Sequence, residues 1–236
     1  MRVELQDGYV LHTRPYRDNS LLVEFFSRDY GRVSLVARGA KGRKTRGGSV
    51  AALLQLFQPV SCAWTGRGEL KTLTGCELPG SPTSLAGKAV FSGLYVNELL
   101  VRLLHHEDPH QVLFDRYHQV VEELRGSLDQ ELVLRGFEFA LLEQLGYGFA
   151  LDLDGRSGES VASDCSYHYH PDYGLVQAAA GAKDRLPRYR GCDLQDIAQG
   201  ISGAAGRKCA KRLMRQVLAT HLGEKPLRSR ELFRRP

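Results

Sequence analysis

The stretch YVLHTRPYRDNSLLVEFFSRDYGRVSLVARGAKG, residues 9–42, contains three short runs that are rich in Val, Leu, Phe and Thr. The turn sequences RDN at 17–19 and DYG at 29–31 separate these runs. Apolar runs of this length, bounded by turn signals, predict β-strands. The N-terminal part of the chain is therefore predicted to be a β-structure.

Two more runs, LLQLFQPVSCAW at 53–64 and ELKTLTGCEL at 69–78, extend the same pattern. Five short strands in succession predict a small β-barrel. Within the third strand, Val33 and Leu35 share one face while Arg38 projects from the other. This alternation predicts a strand that is buried on one side only.

The hydrophobic period changes after the linker PGSPTS at 79–84, and apolar residues then recur at helical spacing. The predicted helices span residues 85–106, 110–125, 129–145, 193–201 and 203–222. Residues 150–190 are polar and glycine-rich, with one predicted hairpin in SYHYHPDYGLVQA. The predicted fold class is α+β, with a barrel domain at 1–79 and a helical domain at 80–236 that carries the 150–190 insertion.

Cations and acids are segregated along the chain, although the net charge is only +5. Residues 30–68 contain seven Lys and Arg and no acid, and residues 206–236 contain ten Lys and Arg against two Glu. Residues 92–160 carry thirteen acids against five Arg. Two basic ends around an acidic middle indicate a polyanionic partner.

The remaining bulk features are those of a globular protein, with 42% apolar and 25% charged residues. No run approaches about 20 apolar residues, so no transmembrane helix is expected. The N-terminus lacks the apolar stretch of a secretory signal. The five cysteines are scattered without a C-x-x-C pair, which favours reduced thiols in a cytoplasmic protein.

Signatures of catalysis and of metal binding are weak. The segment GAKGRKT at 39–45 lacks the spacing of a phosphate-binding loop, and no G-x-S-x-G motif is present. Cys165, His168 and His170 have only the distant Cys192 as a fourth ligand, whereas a structural zinc site shows two paired ligand couples. We therefore predict no cofactor and no metal.

Binding to a nucleic-acid backbone is the function that this pattern favours, because Lys and Arg neutralise phosphates and release counterions. The main predicted contacts are the cations of the glycine-rich loop: Arg38, Lys41, Arg43, Lys44 and Arg46. Weaker candidates on neighbouring strands and turns are Arg14, Arg17, Arg67 and Lys71. Candidates for base stacking are Tyr16, Tyr30, Phe57 and Trp64.

Four segments occur in a characteristic order: the strands at 9–42, GLYVNELLVRLL at 93–104, FEFALLEQLGYG at 137–148 and KPLRSRELF at 225–233. This order resembles the RecO family of bacterial DNA-repair and recombination mediator proteins. The resemblance implies an N-terminal OB-fold, a helical C-terminal domain and a small zinc-ribbon-like insertion. It also implies a cytoplasmic, nucleoid-associated protein without catalytic activity.

The same resemblance implies a set of partners. Members of the family bind single- and double-stranded DNA and anneal complementary strands. Together with RecR they help to load RecA onto DNA that is coated by single-stranded DNA-binding protein, whose acidic C-terminal tail they contact. A tail site needs an apolar pocket with cations at its rim. The predicted tail-binding residues are Arg135, Phe139, Leu142, Lys208, Lys211, Arg212 and Arg215.

One departure from the family concerns the insertion. Many relatives hold zinc with four cysteines just after the Leu-Gly-Tyr-Gly segment, whereas this chain reads FALDLDGRSGE at 149–159. Only Cys165 remains nearby. The hairpin is therefore predicted to lack the metal ligands and to be held by packing.

Two other functions stay open. Asp152 and Asp154, with Asp164, would suit a nuclease that depends on Mg²⁺. An OB-fold that follows phosphates would also suit RNA, because phosphate contacts alone do not distinguish RNA from DNA.

Overall fold

The computed structural model describes residues 1–40, 42, 44–45, 48–126, 129–179 and 186–233. The chain forms two compact units. Unit 1 consists of Met1–Gln130 with Leu227–Pro236, and unit 2 consists of Glu131–Pro226. Within the described ranges, no helix has the length and the apolar character that crossing a membrane requires.

Unit 1 is built on a closed five-stranded barrel. Its strands are β1 (Arg2–Tyr16), β2 (Ser20–Ser27), β3 (Gly31–Ala37), β6 (Pro59–Thr65) and β7 (Leu70–Glu77). The neighbours around the barrel run β1-β2-β3-β7-β6, and β3 pairs with β7 in parallel while the other pairs are antiparallel. This is an OB-like barrel, as the sequence predicts.

Aromatic and aliphatic side chains fill the barrel. Trp64 is 1% exposed and meets Phe25 edge-on with 6.0 Å between ring centroids. Tyr30 packs against the same indole at 5.3 Å. The large apolar residues of all five strands thus share one core, which fixes the strand register because a slip of one residue would turn them outward.

The third strand differs from the half-buried strand that its alternation predicts. Ser34 and Val36, on the outer face of β3, are each only 8% exposed. The segment that follows the second helix crosses this strand: the Arg32 side chain donates to the Leu104 carbonyl, and the Glu107 amide donates to the Arg32 carbonyl. Covering both faces of a central strand removes the exposure that alternation predicts.

The predicted strand at 53–64 is wrong in its first half. Residues 50–53 form a short helix, α1 (Val50–Leu53), capped by the Ser49 hydroxyl, and β6 begins only at Pro59. The buried side chains of Val50, Leu53, Leu54 and Phe57 follow a spacing of three and four residues. A short apolar run with this spacing suits a helical turn as well as a strand.

Besides α1, unit 1 contains α2 (Lys88–Leu103), α3 (Gln111–Gly126) and the short α7 (Ser229–Leu232). The GLYVNELL motif packs α2 closely. A Cβ at Gly93 would lie 2.6 Å from the Phe57 ring, so only glycine fits there. The buried Asn97 donates to the Leu11 carbonyl of the barrel and accepts from the Tyr117 hydroxyl of α3.

In the described residues of unit 2 there are three helices and a small sheet. The helices are α4 (Gln130–Gln144), α5 (Gly191–Ala198) and α6 (Ala204–Leu222). The strands are β8 (Ser166–His170), β9 (Gly174–Gln177) and β10 (Tyr189–Arg190), in the order β10-β8-β9. The predicted hairpin is present, but β10 was not expected. The pairing of Tyr189 with Tyr167 makes it a three-stranded sheet.

A carboxylate organises the polar loop before this sheet. Asp154 is 5% exposed and accepts hydrogen bonds from the backbone amides of Arg156, Ser157 and Gln177 at 2.8, 2.9 and 2.6 Å. The last of these amides belongs to β9. One side chain therefore closes its own loop and ties that loop to the edge of the hairpin.

Candidate nucleic-acid interface

The outer face of the barrel carries exposed arginines at the end formed by the β1–β2 turn and the exit of β3. Arg14 lies opposite Leu22, and Leu22 lies opposite Val36. Directly paired residues share a face, and Val23 and Leu35 of the same strands point into the core. Arg14 therefore projects outward, and Arg38 follows Val36 by two residues on that same side.

These arginines lie within reach of one polyanion. Neighbouring strands are about 4.8 Å apart, so Arg14 and Arg38 are separated by about 10–15 Å along the surface. Both are exposed, and no carboxylate of the described residues pairs with either of them. Arg17, in the intervening turn, is exposed and lies over the Tyr16 ring at 5.3 Å.

The base of the glycine-rich loop is fixed to the barrel. Ala40 is fully buried, and its carbonyl accepts a hydrogen bond from the Ala51 amide at 3.1 Å. Two short strands, β4 (Lys44–Thr45) and β5 (Gly48–Ser49), pair within the loop. Lys41, Arg43 and Arg46 lie outside the described residues, and only the backbone of Lys44 is described. Their role stays a prediction.

Two of the weaker candidates lie elsewhere. The expectation that Lys71 is open to a phosphate is corrected. The residue is 3% exposed, and its ammonium contacts the Gly68 carbonyl at 2.7 Å and the Glu107 carboxylate. A lysine enclosed in this way has no free donor surface for phosphate. Arg67 is exposed in the β6–β7 turn, beside the chain start that the Gly66 amide contacts.

Most stacking candidates belong to the core. Trp64 and Phe57 are 1% and 5% exposed, and the Tyr30 ring packs edge-on against Trp64. Only Tyr16 has a half-buried ring next to an exposed arginine. Electrostatic contact with phosphates is therefore the interaction that this end of the barrel offers, with base stacking limited to one ring.

The acidic residues considered for a nuclease do not converge. Both carboxylate oxygens of Asp154 accept hydrogen bonds from backbone amides, whereas Asp152 is exposed. Burial would raise the pKa of Asp154, but its hydrogen bonds from Ser157, Gln177 and Arg156 outweigh that and lower the pKa. Within the described ranges, no group of three or more His, Cys, Asp or Glu side chains is placed to hold a metal ion.

The seven residues predicted for an acidic tail divide into three places within unit 2. Phe139 and Leu142 line a depression of about 540 Å³ whose rim carries the Glu143 carboxylate. Arg135 and Lys211 line a second depression.

In the second depression, both predicted cations already pair with a carboxylate of unit 2. Arg135 pairs with the buried Glu138 at 2.7 Å, and Lys211 pairs with Glu131 at 2.5 Å. Arg207 also lines it, a residue that the sequence reasoning passed over. Its spacing of four from Lys211 was the available signal, since such residues share a helix face. Lys208, Arg212 and Arg215 occupy a different, exposed side of α6.

Comparison with known proteins gives a consistent result along nearly the whole chain. The family model described as Recombination protein O N terminal matches residues 1–82, and the one described as Recombination protein O C terminal matches residues 85–231. These matches meet near residue 84, whereas the compact units divide at residue 130. The predicted boundary after residue 79 stays a prediction.

Several curated proteins named DNA repair protein RecO are similar to this chain. The one from Pseudomonas aeruginosa is 46% identical over 229 residues, covering 97% of this chain and 94% of the relative. The one from Alkalilimnicola ehrlichii is 44% identical over 238 residues, covering 99% and 92%. The one from Nitrosococcus oceani is 43% identical over 234 residues, covering 99% and 94%.

Proposed function

Because the chain belongs to the recombination protein O family of DNA repair proteins, we propose that it binds single- and double-stranded DNA and anneals complementary strands. The observation that carries this proposal is the arginine-bearing end of the OB-like barrel. Arg14, Arg17 and Arg38 are exposed there, and the loop cations follow directly in sequence. Phosphate contacts of this kind hold a strand without reading its bases.

Annealing follows from charge neutralisation. Two strands repel each other through their phosphates, and bound cations reduce this repulsion by displacing the counterion atmosphere. Contacts to the phosphates leave the base edges free to pair. The reaction makes and breaks no covalent bond, and we propose no catalytic role for Asp152, Asp154 or Asp164.

The proposed partners come with the family. We propose that the protein works with RecR to load RecA onto DNA that is coated by single-stranded DNA-binding protein. The acidic tail of that protein would bind at the depression lined by Arg135, Arg207 and Lys211. Leu132 supplies an apolar contact in that depression. The tail carboxylates would replace Glu131 as the partner of Lys211.

The test compares two variants that carry the same change in charge. Arg14→Glu with Arg38→Glu removes the proposed barrel contacts. Lys88→Glu with Lys225→Glu changes two exposed lysines that lie in no proposed site. We expect the barrel variant to lose at least about tenfold in affinity for single-stranded DNA, with a salt slope shallower by about 1.4, because each phosphate contact on a single strand contributes about 0.7.

The control pair is expected to bind and anneal as the wild-type chain does, apart from a small change due to net charge. Fluorescence anisotropy at several salt concentrations gives both the affinity and the slope, and a strand-annealing assay gives the rate. A barrel variant with unchanged affinity and slope would remove this end of the barrel from the mechanism. A further variant, Lys41→Glu with Arg43→Glu and Lys44→Glu, is expected to abolish binding at the barrel and tests the loop.

A further inference from the structure

The helix α6 has an unusual charge distribution. Its nineteen residues include five Lys and Arg and no acid. Lys208, Arg212 and Arg215 are exposed and recur at intervals of four and three, so they form one row on the helix surface. The row spans about 10 Å, given a rise of about 1.5 Å per residue.

The adjacent strand β10 holds the middle of this row. The Arg212 guanidinium lies over the buried Tyr189 ring at 4.6 Å and donates to the Arg188 carbonyl. The Tyr189 hydroxyl in turn donates to Gln216 of α6 at 2.5 Å. These contacts position the Arg212 side chain at the centre of the row.

Three carboxylates lie near α6. Asp196 is turned to the helix start, where it accepts from the Ser202 and Gly203 amides. Burial first, and Asp193 second, raise the pKa of the buried Cys209 thiol to about 11, while Arg212 lowers it. Glu131 is committed to Lys211. Within the described ranges, no carboxylate pairs with Lys208 or Arg215.

We propose that this row, formed by Lys208, Arg212 and Arg215, is a second binding site for a nucleic-acid backbone. This inference rests on the proposed annealing function, to which it adds a site for the second strand. The exposed residues of α6 before and after this row include Ala204, Ala205 and Ala219. Their short side chains add little apolar surface beside the cations, so the row suits a chain of phosphates better than a peptide with a large apolar residue.

The number of strands bound per chain tests the proposal directly. Short oligothymidine strands, which cannot pair with each other, are titrated into the wild-type protein at low salt by calorimetry. We expect two strands per chain for the wild type, and one strand for Lys208→Glu with Arg215→Glu. Arg212 is left in place because its guanidinium packs on Tyr189. The annealing rate of this variant is expected to fall about tenfold, with a salt slope of binding shallower by about 1.4.

Two controls separate charge from structure. Lys208→Arg with Arg215→Lys keeps both charges and is expected to bind two strands, and Lys88→Glu with Lys225→Glu matches the change in net charge. An unchanged melting temperature shows that α6 remains folded. Two strands bound by the Lys208→Glu, Arg215→Glu variant, or annealing at the wild-type rate, would overturn the proposal.

The remaining outcomes distinguish this inference from the function on which it rests. A wild-type protein that binds one strand, lost in the Arg14→Glu, Arg38→Glu variant, would leave the barrel site standing and refute the second site. A wild-type protein that binds no strand would refute the proposed function itself. If the Lys208→Glu, Arg215→Glu variant still binds two strands but no longer binds an acidic peptide that ends in an apolar residue, the row is a site for a protein tail and the proposal is refuted.

Discussion

Asp154 shows how one carboxylate can hold a loop together. Its two oxygens accept hydrogen bonds from three backbone amides, two in its own loop and one in β9, and the residue is almost fully buried. The organising group of this loop is an anion that receives N–H donors from the backbone.

We expect Asp154→Asn to destabilise unit 2, because the amide group brings N–H donors against the amide of Gln177. The loss of one well-formed bond and the burial of an unmatched donor should lower the free energy of unfolding by about 1–3 kcal/mol. Urea denaturation followed by circular dichroism measures this change. Asp152→Asn, two residues away and exposed, is the control and should stay within about 0.5 kcal/mol. Equal stability of the two variants would contradict the assigned role.

This contribution also depends on pH. Hydrogen bonding lowers the pKa of Asp154 below its ordinary value of 3.8 in the folded protein. The stabilisation is therefore fully present above that value and is lost as pH falls through the folded pKa. The difference in stability between the wild type and Asp154→Asn should accordingly close in acid rather than in alkali.

At the scale of elements, two of the segments that mark the family contact each other. Glu98 of the GLYVNELL motif accepts the Arg228 amide at 2.9 Å, and it accepts the Ser229 amide and hydroxyl at 2.8 and 2.6 Å. Leu227 is buried beside this contact, and the Phe233 ring meets the Phe91 ring. Glu98 thus caps α7 and fixes the C-terminal segment on α2.

We expect Glu98→Gln to loosen this segment, because the amide group cannot accept all three hydrogen bonds. Hydrogen–deuterium exchange of a peptide that covers residues 227–233 should speed up, while exchange in the barrel strands stays the same. Glu77→Gln, at the exposed end of β7, provides the matched control. Exchange that is equally slow in both variants would show that Glu98 does not hold the segment.

The elements that sequence reasoning predicts well are those with a long, regular pattern. The helical spacing of Leu113, Tyr117, Val120 and Leu124 marks α3 directly, because all four side chains are buried on one face. The strand predicted at 53–64 fails in its first half because a short apolar run suits a helical turn as well as a strand. β10 is too short to produce any pattern, yet its Tyr189 holds Arg212 and Gln216 of α6.

At the scale of the molecule, side chains that read bases or sugars are not part of the candidate sites. Arginines and lysines that contact phosphates do not sense the 2′-hydroxyl, which is the group that distinguishes RNA from DNA. We therefore expect single-stranded RNA and DNA of equal length to compete within about threefold in affinity. Competition anisotropy with a labelled DNA strand measures this ratio. A preference above about tenfold for either polymer would require a contact beyond the phosphates.

The sequence shows how charge is distributed along the chain, but it does not show which cations remain available for binding. The sequence alone does not show which Lys and Arg side chains of residues 30–68 can bind a ligand, and it gives no sign that Lys71 differs from them. Folding brings Glu107 to Lys71 from 36 positions away, and it turns Lys211 and Lys208 of one helix toward different surroundings. Which cations remain available depends on long-range pairing, which the local pattern does not contain.

The position of Leu227 and Ser229 in unit 1 has a consequence for synthesis on the ribosome. The barrel and α2 are made before residues 131–226, but Glu98 has no N–H groups to cap until Arg228 and Ser229 have been polymerised. All of unit 2 is made in between. The nascent chain therefore carries an unfinished first unit until that point, and a premature stop after residue 226 would leave that unit without its closing segment.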